Sequence, residues 1–467
     1  MWVPATDARS TTHDAGVERL LASYRAIPAG ATVRLAKKTS NLFRARRRST
    51  TPGLDVSGLC GVIAVDPVAR TADVAGMCSY QDLVAATLPH GLSPLVVPQL
   101  KTITLGGAVT GLGIEAASFR NGLPHESVLE MDVLTGAGEV VTASPTEHPE
   151  LFRAFPNSYG TLGYSVRLRI ELEPVEPFVA LRHLRFDSLP ELVAAMDGIV
   201  ETRGYAGQPV DYLDGVMFSP TECYLCLGTR TAAPGPVSDY TGRDIYYRSI
   251  QHPAGRPAGK TDRLTIADYL WRWDTDWFWC SRVFGAQHPR IRRCWPRRYR
   301  NSRVYRKLVD VDQRYDIGDR IERRRLTRPP APLRERVVQD IEVPIDRTAE
   351  FLTWFAGTVP IEPVWLCPLR LRDADGWPLY PIRPGRSYVN VGFWSSVPAG
   401  PAPGHTNRLI EAKVAELGGH KSLYSEAFYP REEFDELYGG PAYRAAKAAY
   451  DPDSRLLDLY AKAVQRQ

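Results

Sequence analysis

The chain has no run of about 18 uninterrupted apolar residues, the length a bilayer-spanning helix needs, so no membrane-crossing segment is expected in its 467 residues. The opening stretch MWVPATDARSTTHDAGVERLLASY has no cationic segment leading into an apolar one, so neither a secretory signal nor a membrane anchor is expected there. Cysteine is sparse. The seven residues are odd in number, scattered and without the paired spacing of a disulfide framework, so a cytoplasmic setting is expected, with peripheral contact at the inner face of the membrane left open. The one C-x-x-C, Cys223 and Cys226, lies inside the apolar run ECYLCLG with no second pair and no nearby His. It reads as a buried strand rather than a zinc or redox site, and no metal site is expected. No internal repeat is visible. The net charge of +5 is modest, which gives nucleic-acid binding no bulk electrostatic support.

Hydrophobic residues make up 44% of the chain, an ordinary share for a packed globular protein. From Gly61 to Leu134 the pattern alternates strands with one helix. VIAV, TADVA and LSPLVV read as strands, and Ser79 is placed to cap the helix SYQDLVAATLPHG. SVLEMDVLTGAGEVVTAS sets two apolar runs around Gly136-Ala137-Gly138, a hairpin signal. In TLGYSVRLRIELEP the residues Val166, Leu168, Ile170 and Leu172 alternate with Arg167, Arg169, Glu171 and Glu173, as in a strand with one dry face and one wet face. Pro174 and Pro177 end it, and a domain boundary follows near residue 178. Proline-rich connectors such as TAAPGPVSD and LTRPPAPLRE read as surface loops, and Glu432 to Val464 reads as helical with a break at Asp451-Pro452.

The most informative stretch is VPQLKTITLGGAVTGLGIEAASFRNG, with Gly106, Gly107, Gly111, Gly113 and Gly122 close together. Such density lets backbone N–H groups turn toward a ligand and cradle a diphosphate. The spacing is not the G-x-G-x-x-G of a Rossmann turn. A purely structural glycine turn is the competing reading. Two companion loops weigh against it: AKKTSNLFR upstream, and NSYGTLGYSVRLRI, whose Gly-Thr-Leu-Gly turn precedes the amphipathic strand.

In the order of these three loops the sequence resembles the PCMH-type flavin domain of the vanillyl-alcohol-oxidase superfamily. The matching residues are Lys38, Thr39, Ser40 and Asn41; Thr102, Thr104, Gly106, Gly107, Gly111, Gly113, Ile114 and Ser118; and Gly160, Thr161 and Gly163. Within that superfamily it resembles the delta-24-sterol-reductase-like proteins, through ATLPHGLSPLVVPQL, VVQDIEVPID, EPVWLCPLRL and LYSEAFYPREEFDELYGGPAY. The resemblance implies an α+β fold: a two-subdomain FAD-binding domain over 1–178, then an α+β substrate (cap) domain over 179–467 whose helical C-terminal segment returns toward the flavin. The sterol enzymes carry an amino-terminal membrane segment, for which no counterpart is expected here, and Gly418-Gly419-His420-Lys421 departs from their pattern. The loops that carry a flavin-linking His or Cys in many members offer neither, so FAD is expected to be held noncovalently.

The resemblance further implies reduction of a carbon–carbon double bond in a lipid, with NADPH as transient reductant and an acid to protonate the alkene. Candidates for catalysis are Asp340, Glu342, His420, Lys421 and Tyr424, each with an ordinary core hydrogen bond or salt bridge as the alternative. An Ala-, Arg- and Pro-rich composition points to a bacterial relative, in a branch that reduces methylene-branched fatty acyl chains. A phospholipid-bound acyl chain is then the expected substrate, and an S-adenosylmethionine-dependent fatty acyl methyltransferase the expected partner. A sterol side chain is the alternative. Two other readings stay open: a flavin oxidase or dehydrogenase of an alcohol or sugar, and a non-catalytic lipid-binding protein.

Finally, LWRWDTDWFWCSRVFG holds Trp271, Trp273, Trp277 and Trp279, and nine arginines fall between Arg282 and Arg306 without one acidic residue. Indoles and guanidinium groups suit a membrane interface, so Trp271 to Arg306 is a candidate for peripheral membrane contact. A buried aromatic cluster beside a solvated basic loop is the alternative, and nucleic acid is disfavoured.

Overall fold

The computed structural model describes residues 6–37, 43, 52–111, 113–242, 244–255, 259–315 and 333–465. Two antiparallel sheets organise them. The first contains β1 (Val62–Asp66), β2 (Thr71–Ala75), β3 (Leu92–Pro94), β4 (Val128–Leu134), β5 (Val140–Ala143) and β6 (Tyr164–Pro174), ordered β1-β2-β6-β4-β5 with β3 on the far end of β6. The alternation in β6 works as its sequence predicts: Val166, Leu168, Ile170 and Leu172 are buried. On its other face Arg167 bridges Asp73 of β2 at 2.7 Å and Asp132 of β4 at 2.6 Å. Around the sheet, α1 (Thr6–Arg25) carries Tyr24, whose hydroxyl donates to Gly136 O at 2.6 Å in the β4–β5 turn. Gly138 in that turn has φ +87°, and a Cβ there would meet the Tyr24 ring at 2.3 Å, so only glycine fits. Ser79 caps α2 (Tyr80–Thr87), accepting from Asp82 N at 3.2 Å. The strand expected over LSPLVV is shorter than its apolar run: Leu95 to Val97 are buried but leave the sheet after Pro94, which has no N–H to continue the ladder.

The chain crosses into the second sheet between Pro174 and Phe178. This sheet comprises β7 (Phe178–Phe186), β10 (Tyr212–Ser219), β11 (Glu222–Thr231), β12 (Lys260–Thr265), β13 (Arg334–Pro344), β14 (Val364–Leu369), β15 (Tyr388–Pro398) and β16 (His420–Lys421), after a two-strand hairpin β8 (Gly204–Tyr205) and β9 (Gln208–Pro209). Its order is β12-β7-β11-β10-β14-β15-β13-β16. Because strand side chains alternate, each strand feeds two cores. Leu213, Ile341, Leu366 and Val391 pack under the helices Leu189–Thr202, Thr348–Thr358 and His405–Glu416. Tyr212, Trp365 and Cys367 turn to the other face, into the core shared with the first sheet. Cys223 and Cys226, three residues apart on β11, accordingly lie in different cores, both buried.

The C-terminal segment folds back on the first sheet. The helix Gly440–Tyr450 contacts Pro149–Ala154. Val33 N donates to Arg455 O at 2.7 Å, and Lys462 Nζ to Tyr159 O at 2.6 Å.

Candidate functional site

Between the two sheets lies a cavity of about 880 Å³, near the top of the range for small-molecule sites. Its two walls differ in chemistry. One is built from the glycine-rich loops and the segment 30–37; the other is the inner face of the second sheet with the segment Trp277–Cys280.

On the glycine wall, Thr104 caps α3 (Leu105–Thr110), and Thr104, Gly106, Gly107, Gly111, Gly113, Ile114 and Gly160 all line the cavity. The expectation that this turn aims its N–H groups at a diphosphate needs correction. Gly106 N donates to Gly76 O at 3.0 Å, Gly107 N to Thr104 Oγ1 at 3.2 Å and Gly111 N to Gly107 O at 2.9 Å, so these donors are already engaged. Glycine is required here for close approach: a Cβ on Gly106 would sit 2.3 Å from Ser165 Oγ and 2.6 Å from Gly76 O. Four other expected residues, Thr102, Ser118, Thr161 and Gly163, do not reach the cavity wall. Ser118 Oγ instead accepts from Glu115 N at 3.0 Å, Thr161 Oγ1 donates to Ser158 O at 2.7 Å, and Gly163 packs on Val133. These three shape the turns behind the wall. Lys38, Thr39, Ser40 and Asn41 lie outside the described residues.

Positive charge on this wall comes from residues the sequence reading passed over: Arg34, Lys37 and Lys462 line the cavity, with Lys37 Nζ 3.0 Å from Thr104 Oγ1. Gln99, 3% exposed, presents a side-chain amide whose nitrogen and oxygen both lack a protein partner. Beside it Glu115 accepts from Gln99 N at 2.6 Å, and burial raises its carboxyl against the pull of Arg272 and Gln99. A cationic, glycine-lined wall with an orphaned amide donor and acceptor fits a dinucleotide carrying a heterocyclic ring.

The facing wall is aromatic. Trp277, Phe278, Trp365, Trp394 and Tyr424 line it, with Phe278 and Trp394 ring centroids 4.5 Å apart. One carboxyl stands among them. In the register of β13 and β15, Asp340 lies opposite Gly392 and Glu342 opposite Asn390, which turns Asp340 to the cavity while Ile341 faces the helices. Burial raises the Asp340 carboxyl from 3.8 to about 7, and hydrogen bonds with Asn390 and Tyr424 only partly offset this. Asn390 Nδ2 is 3.3 Å from Asp340 Oδ1, and Trp394 Nε1 donates to Tyr424 O–H at 2.9 Å. A carboxyl that keeps its proton near neutral pH in an apolar wall is what a general acid requires.

The structure separates the five catalytic candidates. Asp340 and Tyr424 line the cavity; Glu342, His420 and Lys421 are buried behind it. Ser422, on the wall, donates to Glu342 Oε1 at 2.7 Å, and Glu342 Oε2 lies 3.1 Å from His420 Nε2. Burial pushes His420 down to about 3 and raises the Glu342 carboxyl above its ordinary range. Lys421 is paired with Glu411 at 2.7 Å. Its charge belongs to the core joining β16 to the helix His405–Glu416, which corrects its expected place at the cavity.

Of the two readings of Trp271 to Arg306, the tryptophans follow the buried aromatic cluster. Trp271, Trp273, Trp277 and Trp279 are all buried. Arg272 Nη2 meets Asp214 Oδ2 at 2.9 Å inside the core, and Trp273 and Trp365 donate their indole N–H groups to the same oxygen at 3.1 and 3.2 Å. The arginines that follow are mostly on the surface: Arg282, Arg290, Arg293, Arg297, Arg298 and Arg303 are exposed. Among the described residues no helix is long and apolar enough to cross a membrane.

Residues 18–144 match the FAD binding domain family. Over 424 residues, covering 86% of this chain and 76% of the relative, the sequence is 25% identical to the Delta(24)-sterol reductase of Rattus norvegicus. It is 24% identical over 448 residues to that of Arabidopsis thaliana, covering 88% and 76% of the two chains. A shorter match, 34% over 143 residues and 31% of this chain, joins it to cytokinin dehydrogenase 6 of Oryza sativa subsp. japonica, of which it covers 27%.

Proposed function

The chain belongs to the PCMH-type FAD-binding superfamily of oxidoreductases, and from that premise we propose that it reduces a branched carbon–carbon double bond in a lipid. The observation that carries the reading is Asp340, a carboxyl with its proton affinity raised to about 7, set in an aromatic cavity wall opposite the glycine-lined one. An isolated alkene resists hydride addition because a bare carbanion would result. Protonation at the less substituted carbon gives a tertiary cation that a hydride quenches, so the acid must act on the alkene itself. Bound noncovalently, FAD would supply that hydride, with NADPH as the external reductant. Arg34, Lys37, Lys462 and Gln99 would hold the cofactor. Trp277, Trp365 and Trp394 exclude water and place an apolar chain against Asp340. Tyr424, held by the Trp394 indole, orients the carboxyl.

Two lipids carry such an alkene. We take a methylene-branched fatty acyl chain on a phospholipid as the primary reading, since the exposed arginines beside the cavity suit an anionic headgroup; a methyltransferase that makes the methylene group is then the fitting partner. A sterol side chain is the second reading, favoured by the names of the relatives that cover most of this chain. The test is anaerobic reduction of the yellow protein with NADPH, then addition of either lipid, with mass analysis for the gain of a hydrogen pair. Reoxidation by either lipid with that gain supports the proposal. Turnover with oxygen and a polar alcohol, with neither alkene consumed, refutes it.

A further inference from the structure

The segment after the buried tryptophans builds a surface outside the cavity. Three short helical turns, Cys280–Phe284, Pro289–Cys294 and Arg297–Tyr299, follow one another in the chain. Their outer faces combine the exposed Arg282, Arg290, Arg293, Arg297 and Arg298 with apolar side chains that a solvated basic loop has no reason to display. Val283 is 81% exposed, and Ile291 and Tyr299 are 42% and 44% exposed.

Among the described residues, countercharge is scarce around them. Asp276 is engaged by the buried Arg292 at 2.7 Å, Glu362 gives Arg282 only its backbone oxygen, and Asp239 approaches Arg297 at 3.7 Å. The turns are held rigidly from below. Phe284 stacks on the fully buried Tyr305 at 5.7 Å and Trp295 leans on it at 6.1 Å, in a cluster that also holds Trp277. Trp277 and Cys280 are cavity wall, so one aromatic layer separates this face from the cavity.

We propose that this face docks on an anionic lipid bilayer, the arginines meeting phosphate and Val283 and Ile291 entering the headgroup boundary. Exposed guanidinium groups around exposed aliphatic side chains match that surface in both charge and polarity. A nucleic-acid duplex would use the charge but leave Val283 and Ile291 in water. The docking goes beyond the reduction proposed above and is read without turnover, so either can fail alone.

The experiment is flotation of the FAD-loaded protein with vesicles of phosphatidylcholine alone or mixed with phosphatidylglycerol, at about 0.1 M and about 1 M salt. Binding is expected only to the mixed vesicles and only at low salt. R290E/R293E/R298E should lower that partition about a hundredfold, and V283D should lower it separately, with the flavin absorbance of both variants unchanged. Equal recovery with neutral and anionic vesicles, binding by the charge-reversed protein equal to that of the parent, or binding to a duplex oligonucleotide but not to vesicles would overturn the proposal.

Discussion

At the scale of the residue, Asp340 and Glu342 show how one strand assigns different work to two carboxyls on the same face. Asp340 opens on the cavity; Glu342, one pleat further, is closed off by Ser422 and His420. Asp340→Asn keeps the shape and removes the proton, so turnover should fall about a hundredfold to ten-thousandfold while the flavin band near ~450 nm remains. In the parent protein kcat/KM should decline above pH about 7, as the Asp340 proton is lost, and that alkaline limb should vanish in the variant. Stability follows the same group. Its folded pKa lies above its unfolded value of 3.8, so its contribution is fully present below 3.8 and is lost as pH rises through about 7. At pH 8 the Asn variant should therefore unfold at higher denaturant than the parent, by at most about 4 kcal/mol, and the two should converge in acid; denaturation at both pH values checks this. The sequence offers VVQDIEVP as an acidic strand but not which carboxyl meets the cavity. Both share one face, and only the cover supplied by Ser422 and His420 from a distant segment distinguishes them.

At the scale of the element, the segment Trp271–Trp279 brings Trp277 and Phe278 to the cavity wall, and Asp214 pins it. One carboxylate oxygen takes Arg272, the Trp273 indole and the Trp365 indole, tying the segment to β10 and β14 at once. Asp214→Ala leaves a guanidinium buried without its partner and should cost about 3–5 kcal/mol, with a drop in flavin affinity because Trp365 and Trp277 shift with it. Adding Arg272→Met should restore most of the stability, since the stranded charge is then gone. Denaturation midpoints of the single and double variants measure the difference, and a double variant no better than the single would refute the staple. Composition could not place these tryptophans: indoles beside arginines occur both at lipid interfaces and in cores, and the deciding partner, Asp214, lies 58 residues from Arg272. Periodicity did better where one face stays wet, as in β6, or where a turn is local, as in β4–β5. It says nothing of β16, whose two residues are a strand only because β13 runs beside them.

At the scale of the whole molecule, the cavity belongs to neither sheet alone. The glycine wall comes from the first sheet's loops, the acid and the aromatic wall from the second, and a C-terminal segment carrying Lys462 completes it. The glycine motif was legible because it is contiguous; Arg34, Gln99 and Lys462 were not, because their meeting depends on chain crossings that no local pattern encodes. A ligand bound between two bodies stabilises both, by about 2.7 kcal/mol at a hundredfold excess over Kd. Removal of FAD should thus lower Tm by several degrees, and the loss should appear in the indole fluorescence of Trp365 and Trp394 as well as in backbone signals of the first sheet. Since one hydrophobic core runs through both sheets, the two signals should move together rather than split. If the second sheet melts at the same temperature with and without FAD, the cavity is not where the cofactor sits, and the assignment of Asp340 as the acid falls with it.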